Sequence, residues 1–171
     1  MRIVKGKWAG RDLTSPGGSV RPTAEAVRSG WLDLLAGELE GASVLDLFAG
    51  TGAVGLEALS RGARSVDFVE NGPAALHALK ANVAALRAKR RIRIFKRDAI
   101  PFVERLEDGA YDIAVADPPY GSAKLDRVLR AWHGVHFAEI LAFEHAKDHL
   151  VDGKGKMYDF GGSTRITIIR R

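Results

Sequence analysis

Short apolar runs alternate along the chain with longer segments in which apolar residues recur every three or four positions. The short runs predict five strands, and the longer segments between them predict helices. The predicted strands are Ser43–Phe48, Ser65–Glu70, Arg91–Lys96, Tyr111–Ala116 and Glu139–Phe143. Strands that alternate with helices are typical of an α/β fold, in which helices cover both faces of a mainly parallel sheet.

The predicted helices extend from Thr23 to about Leu39, over 53–61, 72–87 and 100–106, and onward from Ser122. Thr23 and Ser122 are expected to cap the helices that follow them, because a side-chain hydroxyl accepts an N–H group of the first turn. Near the C-terminus, runs at 156–160 and 164–169 flank two glycines and predict an antiparallel hairpin. A parallel sheet binds ligands beyond the carboxyl ends of its strands, so candidate chemistry is expected there.

Residues 1–22 form a basic leader ahead of the first predicted helix. Its runs at Ile3-Val4 and Trp8–Leu13 predict a small hairpin, and Ser15-Pro16-Gly17-Gly18 is a strong turn signal. We therefore expect two parts, a basic extension over 1–22 and a larger domain over 23–171.

Charge and composition narrow the classes of function. The formal net charge is +5, and basic residues cluster in the leader, with Arg21 and Arg28 beyond it, and again over 89–97. Such clusters neutralise the phosphates of a polyanionic partner, although a solvated basic face is the alternative. The chain has no cysteine, which excludes disulfides, zinc–thiolate sites and thiol nucleophiles.

Hydrophobic stretches long enough for a membrane are missing from the sequence. No run approaches the roughly 18 apolar residues of a spanning helix. The N-terminal residues lack the apolar core of a signal peptide.

The histidines show no metal-ligand spacing, so no metal site is predicted. We expect a cytoplasmic protein, and a monomer, because no long apolar surface is left unassigned.

A glycine-rich segment follows the first predicted strand. Gly50, Gly52 and Gly55 match the G-x-G-x-x-G spacing, which allows a sharp turn and a close approach of a ligand to the backbone. Glu70 ends the second strand, where a carboxylate binds ribose hydroxyls. The spacing alone fits a nicotinamide cofactor or S-adenosylmethionine. We expect the charge of Asp46 to face the ligand, repelling pyrophosphate and attracting a sulfonium.

The sequence Asp117-Pro118-Pro119-Tyr120 directly follows the fourth strand. Two prolines stiffen this segment and remove two N–H donors, so that it presents acceptors. Asp117 and the carbonyl of Pro118 are expected to accept the two hydrogens of an aromatic exocyclic amine and to hold its nitrogen for attack on a methyl group. Tyr120 is expected to stack on the base. Asp98, or the amide of Ala99, is a candidate contact for an adenine edge, with a helix cap as the alternative role.

With these motifs, the chain resembles the RsmD-like family of small-subunit (16S) rRNA guanine-N2 methyltransferases. The resemblance extends over nearly the whole length and includes residues outside the motifs common to amino-methyltransferases. These are Met1–Val4, Gly6-Lys7, Gly10-Arg11, Arg21-Pro22-Thr23, Val27-Arg28, Glu144-His145 and Tyr158–Ile169. The resemblance implies a Rossmann-like class I methyltransferase domain over 23–171 and a basic leader that contacts RNA.

The resemblance also implies the roles of individual residues, with S-adenosylmethionine as the cofactor and ribosomal RNA, within an assembling small subunit or free, as the partner. The implied cofactor contacts are Asp46, Phe48, Gly50, Thr51, Gly52, Glu70, Asn71, Asp98, Ala99 and Asp117. The implied catalytic residues are Asp117, Pro118 and Tyr120, and the implied substrate contacts are Arg2, Lys5, Lys7, Arg11, Arg21, Thr23, Pro119 and Tyr120.

Three alternatives remain at this point, and one of them is a binding module that has lost catalysis, although the intact acceptors of Asp117–Tyr120 argue against it. A DNA adenine-N6 or cytosine-N4 methyltransferase uses the same tetrapeptide, but usually carries a target-recognition domain for which 171 residues leave little room. A nicotinamide-dependent oxidoreductase fits the glycine spacing but has no use for Asp-Pro-Pro-Tyr. For Glu144 and His145 we favour a structural or substrate-positioning role.

Overall fold

A seven-stranded sheet forms the centre of the computed structural model, which describes residues 1–16, 25–151 and 154–171. Its strands are β1 Ser43–Leu47, β2 Ser65–Glu70, β3 Ile92–Lys96, β4 Tyr111–Ala116, β5 Ala138–Ala146, β6 Lys156–Asp159 and β7 Thr164–Arg170. Their order across the sheet is β3-β2-β1-β4-β5-β7-β6. Neighbours among β1 to β5 pair in parallel, whereas β7 pairs antiparallel with β5 and β6. The predicted α/β fold and C-terminal hairpin are confirmed.

Helices cover both faces of this sheet. They are α1 Glu25–Asp33, α2 Ala36–Leu39, α3 Ala53–Ser60, α4 Pro73–Ala85, α5 Ala99–Val103 and α6 Lys124–Gly134. Residues of α1, α3 and α4 belong to one hydrophobic cluster, and residues of α5 and α6 to another on the opposite face. Within the described ranges, no helix is long and apolar enough to cross a membrane.

The central strands are buried on both faces, which explains why they read as continuous apolar runs. Val44 packs into the first hydrophobic cluster and its neighbour Leu45 into the second. The strand order reverses between β1 and β4, where Leu47 pairs with Ala116. The segments that start at Phe48 and Asp117 therefore leave the sheet side by side, at the point where open α/β sheets bind ligands.

Two helix predictions are wrong in detail. The predicted helix up to Leu39 is divided, because the chain leaves helical geometry at Leu35, which has φ −107° and ψ 7°. Ser122 does not cap α6. Its hydroxyl donates to the carbonyl oxygen of Pro119 at 2.7 Å, and the N-cap position belongs to Ala123. Thr23 lies outside the described residues.

The described part of the leader, residues 1–16, folds back on itself and packs on the first hydrophobic cluster. Arg2 and Asp12 form an antiparallel bridge, and the amide of Leu13 donates to the carbonyl of Met1 at 2.7 Å. The pairing predicted for this segment is therefore present. Ile3 and Trp8 are buried in the same core as the helices.

A buried ionic network joins the leader to α1 and α3. The carboxylate of Glu57 accepts hydrogen bonds from Arg28 Nε at 2.9 Å, from the amide of Val4 at 3.2 Å and from Arg61. Arg28 and Glu57 are both completely buried. The grouping of Arg28 with the basic cluster of the leader, whether that cluster binds phosphates or is only solvated, is wrong, because the Arg28 guanidinium pairs with the buried carboxylate of Glu57.

Candidate active site

The glycine loop after β1 has a backbone that few residue types tolerate. Phe48, Gly50 and Gly52 have φ values of 59°, 56° and 78°, in the left-handed region. A Cβ atom on Gly52 would lie 2.3 Å from Leu79 Cδ1. Glycine at this position thus permits both the conformation and the close packing of the loop on α4. The loop leads directly into the N-terminus of α3.

Glu70, at the end of β2, joins this loop to the start of α4. Its Oε2 accepts the amide of Gly50 at 2.8 Å, and its Oε1 accepts the amides of Asn71 at 2.8 Å and Gly72 at 2.6 Å. These bonds hold the carboxylate in one orientation at the carboxyl edge of the sheet. In α/β folds of this kind, a carboxylate at this position accepts hydrogen bonds from the hydroxyl groups of a ribose.

Asp46 lies beneath the loop instead of facing the ligand side as an open charge. Its Oδ2 accepts the amide of Gly55 at 2.9 Å, and the residue is almost fully buried. Burial raises the pKa of Asp46 well above its usual range, and the nearby carboxylates of Asp117 and Glu70 raise this pKa further. Three carboxyl groups are therefore gathered at the switch point, where the raised pKa of Asp46 favours its neutral form and the carboxylates of Glu70 and Asp117 supply the negative potential.

Asp117 begins the segment that follows β4, beside the glycine loop. Its amide lies 3.5 Å from the carbonyl oxygen of Leu47 at the end of β1. Pro118 is buried and Pro119 is exposed. The two segments that carry the sequence motifs, from distant parts of the chain, thus meet at the carboxyl ends of adjacent strands.

The side chain of Tyr120 is held by the C-terminal strands. Its hydroxyl donates to Glu144 Oε1 at 2.6 Å and lies 3.1 Å from Thr164 Oγ1. Partial burial, together with the Glu144 carboxylate, raises the pKa of Tyr120 to about 12. The phenol therefore keeps its proton, and its ring is fixed while 38% of the residue stays exposed to solvent.

Glu144 and His145 have different surroundings. Glu144 is buried in β5 and orients Tyr120. The Nε2 atom of His145 lies 2.8 Å from Thr167 Oγ1 inside the sheet, and burial lowers the pKa of this histidine. A neutral, internally bonded His145 belongs to the frame of the sheet.

Sequence reasoning missed Asn82, which supports the glycine loop from α4. Its Nδ2 donates to the carbonyl of Thr51 and to the carbonyl of Thr14, both at 3.0 Å, and its Oδ1 accepts the amide of Thr14 at 2.7 Å. The signal was a polar residue within the apolar face of a predicted helix. Through this amide the loop and the leader are joined.

The other predicted cofactor residues lie along the same edge of the sheet. Asp98 serves as the cap of α5, because its Oδ1 accepts the amide of Ile100 at 2.9 Å. Ala99 and Thr51 are buried, and Asn71 is exposed. The ring of Phe48 lies 5.6 Å from Lys124 Nζ. Contacts of these residues with a cofactor stay predictions. In the described part of the chain, no cluster of three or more acidic and histidine side chains is arranged to hold a metal ion.

The basic residues of the leader fall into two groups. Arg2 pairs with Glu25 at 3.4 Å and Lys5 with Asp33 at 2.7 Å, on the surface. Lys7 and Arg11 instead line a cleft with residues that follow α4. Arg21 and Thr23 lie outside the described residues. Contact of the leader with RNA stays a prediction.

Comparison with known proteins gives a consistent set of relatives. The family model described as "Conserved hypothetical protein 95" matches residues 1–155. YlbH of Bacillus subtilis is 34% identical over 133 residues, covering 75% of this chain and 72% of that protein. Ribosomal RNA small subunit methyltransferase D of Escherichia coli K12 is 35% identical over 130 residues, covering 75% of this chain and 65% of that protein. The solved structure of yhhF from Escherichia coli covers 100% of this chain and 97% of its own, with a TM-score of 0.86 and 29% identity.

Proposed function

The chain belongs to the RsmD-like methyltransferases, the family described as "Conserved hypothetical protein 95", and from this membership we propose that it methylates the exocyclic N2 amine of a guanine in small-subunit (16S) rRNA. One observation carries the proposal. The rigid Asp117–Tyr120 segment lies beside the glycine loop and its cluster of carboxyl groups, at the switch point of a parallel sheet.

The residues at the switch point fit S-adenosylmethionine as the cofactor. Glu70 offers a fixed carboxylate for ribose hydroxyls, and the backbone of Gly50 and Gly52 leaves room for a close approach. The carboxylates of Glu70 and Asp117, which lie near Asp46, suit a ligand that carries an ammonium and a sulfonium. When bound, S-adenosylmethionine supplies an electrophilic methyl group.

Asp117 and Pro118 hold the target amine. The carboxylate of Asp117 and the carbonyl of Pro118 accept its two N–H groups, which orients the nitrogen and favours the positive charge that develops on it. The prolines keep these acceptors at a fixed separation. As the nitrogen bonds to the methyl carbon, the bond from that carbon to the sulfonium sulfur would break and leave a neutral thioether. The methylated nitrogen would then release one proton to water, so no strong base is needed.

Tyr120 positions the base through its ring. The exposed part of the ring stacks on the purine, a contact that contributes about 1–3 kcal/mol in other nucleic-acid complexes. Glu144 and Thr164 prevent the ring from turning. A guanine within a helix must first leave its stack to reach this position.

The two alternative enzymatic activities are less well supported. A nicotinamide-dependent oxidoreductase binds a pyrophosphate, which the carboxylate of Asp117 beside the glycine loop would repel. The Escherichia coli relative that covers 75% of this chain is named for ribosomal RNA, and this favours RNA over a DNA base as the substrate. The proposal includes RNA contacts from the leader at Lys7 and Arg11, an assembling small subunit as one form of the substrate, a cytoplasmic location and a monomer.

Methyl transfer from labelled S-adenosylmethionine tests the proposal. Purified protein is incubated with rRNA, with partly assembled small subunits and with duplex DNA, and the digested products are separated as nucleosides. Label in N2-methylguanosine from ribosomal material is the expected result. Label in methyladenine or methylcytosine of DNA would agree with methyl transfer to an exocyclic amine but would contradict rRNA as the substrate.

A further inference from the structure

A basic cleft of about 640 Å³ lies on the face of the molecule that carries the leader, α3 and α4. Its cationic side chains come from two parts of the sequence. Lys7 and Arg11 belong to the leader, whereas Arg87 follows α4 and Arg91 precedes β3. The buried Trp8 also lines the cleft, and the centroid of its ring lies 5.5 Å from the Arg91 guanidinium.

The cleft is separate from the candidate active site. Gly62 and Arg91, which line it, precede β2 and β3, whereas Glu70 and Asp98 follow these strands on the opposite edge. The six residues of β2 extend over roughly 20 Å between the two edges. A ligand that occupies both places must therefore be a long polymer.

The charges in the cleft are not neutralised by carboxylates. In the ranges that the structure describes, Lys7, Arg11, Arg87 and Arg91 form no ion pair with Asp or Glu. Arg11 donates to the carbonyl of Ala85 at 3.0 Å and Arg91 to the carbonyl of Ala63 at 3.3 Å. These bonds orient the guanidinium groups, and because the carbonyl acceptors are neutral, they do not neutralise the positive charge of the two arginines.

Arg87 also occupies a strained backbone position. It has a φ of 52° and directly follows Leu86, the C-cap of α4. Glycine is the usual residue there because the left-handed region penalises a side chain. An arginine at this position carries a backbone cost while it adds charge to the cleft. Strained backbone positions of this kind cluster at functional sites in proteins.

We propose that this cleft binds the phosphodiester backbone of the RNA substrate, at a distance from the methylated base. The identity of the polymer rests on the proposed function. Each cation in the cleft would neutralise a phosphate and release a bound counterion, and an arginine adds a forked set of donors that matches phosphate oxygens. The cleft increases the affinity for RNA and fixes the position of the RNA on the protein, whereas methyl transfer takes place at Asp117.

The test compares the double variant Arg87→Gly/Lys7→Gln with the wild type and with a control variant, Arg105→Ala. The control removes an exposed charge next to α5, on the face of the sheet opposite to the cleft. The dissociation constant of a fluorescently labelled small-subunit rRNA fragment is measured from 50 to 200 mM KCl. We expect the slope of log affinity against log salt to decrease by about two in the double variant and the control to match the wild type. Because glycine suits the backbone of residue 87, Arg87→Gly alone should melt no lower than the wild type.

Kinetics separates this proposal from the proposed function. The double variant should raise KM for rRNA and leave kcat unchanged, since the lost contacts are the same in the ground and transition states. If the wild type is active and the double variant binds rRNA with unchanged affinity and salt slope, the proposal that the cleft binds RNA is wrong, whereas the proposed methyltransferase activity still holds. If the wild type transfers no methyl group but binds RNA in a salt-dependent way that the double variant weakens, the RNA-binding role of the cleft is supported and the proposed methyltransferase activity is wrong. An absence of RNA binding by the wild type would overturn the cleft.

Discussion

Glu57→Gln is the substitution whose effect on stability follows most directly from the structure. Its carboxylate bonds Arg28, Arg61 and the amide of Val4, and both Arg28 and Glu57 are completely buried. The neutral amide keeps the shape of the side chain but leaves the Arg28 guanidinium without a countercharge in the core. Arg61 is less affected because it also pairs with Asp33 at 2.7 Å.

Removing one partner of a buried ion pair costs about 3–5 kcal/mol. The free energy of unfolding of the variant should decrease by this amount. For a protein of this size, the melting temperature should fall by about 6–20 °C. The assay is urea unfolding followed by circular dichroism, with Glu25→Gln as the control. Glu25 pairs with Arg2 on the surface, so its loss should cost at most about 1 kcal/mol. A Glu57→Gln variant as stable as this control would refute the stabilising role of the network.

Three variants at the active site give the remaining predictions. Glu70→Gln replaces one acceptor oxygen by a donor, and should weaken binding of S-adenosylmethionine by about 10- to 100-fold in calorimetry, the equivalent of one charged hydrogen bond; unaltered affinity would remove Glu70 from the cofactor site. Gly52→Ala places a Cβ atom 2.3 Å from Leu79 at a positive φ, and should lower the free energy of unfolding by at least about 1 kcal/mol; a variant of wild-type stability in urea would contradict this. Tyr120→Phe loses the bond to Glu144, and should lower kcat about 10-fold if the bond contributes about 1.5 kcal/mol to positioning. The folded-state pKa of Tyr120, about 12, exceeds the ordinary value of 10.0, so its contribution to stability is full below pH 10 and is lost toward pH 12; alkaline unfolding should be less steep in Tyr120→Phe, and equal steepness would contradict the pKa shift.

The central strands and the placement of the motifs after them are predictable from the sequence because they depend on local patterns. Strands buried on both faces must be apolar at nearly every position, as in Tyr111–Ala116. The glycine loop and Asp117–Tyr120 each follow such a run directly. Since parallel strands end at one edge, the meeting of these two segments also follows from the sequence.

Interactions between distant residues could not be predicted in this way. Arg28 follows the basic leader in the sequence, and only its contact with Glu57, 29 positions away, reveals an internal role. The bond between Tyr120 and Glu144 likewise spans 24 positions. Periodicity reports which face of a helix is buried, but it does not report which polar partner lies on the other side of the core.

The basic leader illustrates the same limit. Its sequence suggests one uniform surface for RNA, yet the structure divides its charges. Lys5 is neutralised by Asp33, whereas Lys7 lies in the cleft with Arg87 and Arg91. Formal charge along a sequence therefore overstates the cations that a polyanion can reach.

The most direct test of the central claim is the identification of the methylated nucleoside. Wild-type protein and Asp117→Ala are incubated with labelled S-adenosylmethionine and small-subunit rRNA, and the RNA is digested and chromatographed. We expect N2-methylguanosine with the wild type, a loss of label with Asp117→Ala, and the same melting temperature for both proteins. Equal turnover by the two proteins would contradict the role of Asp117, and label in any other nucleoside would contradict the guanine N2 amine as the target.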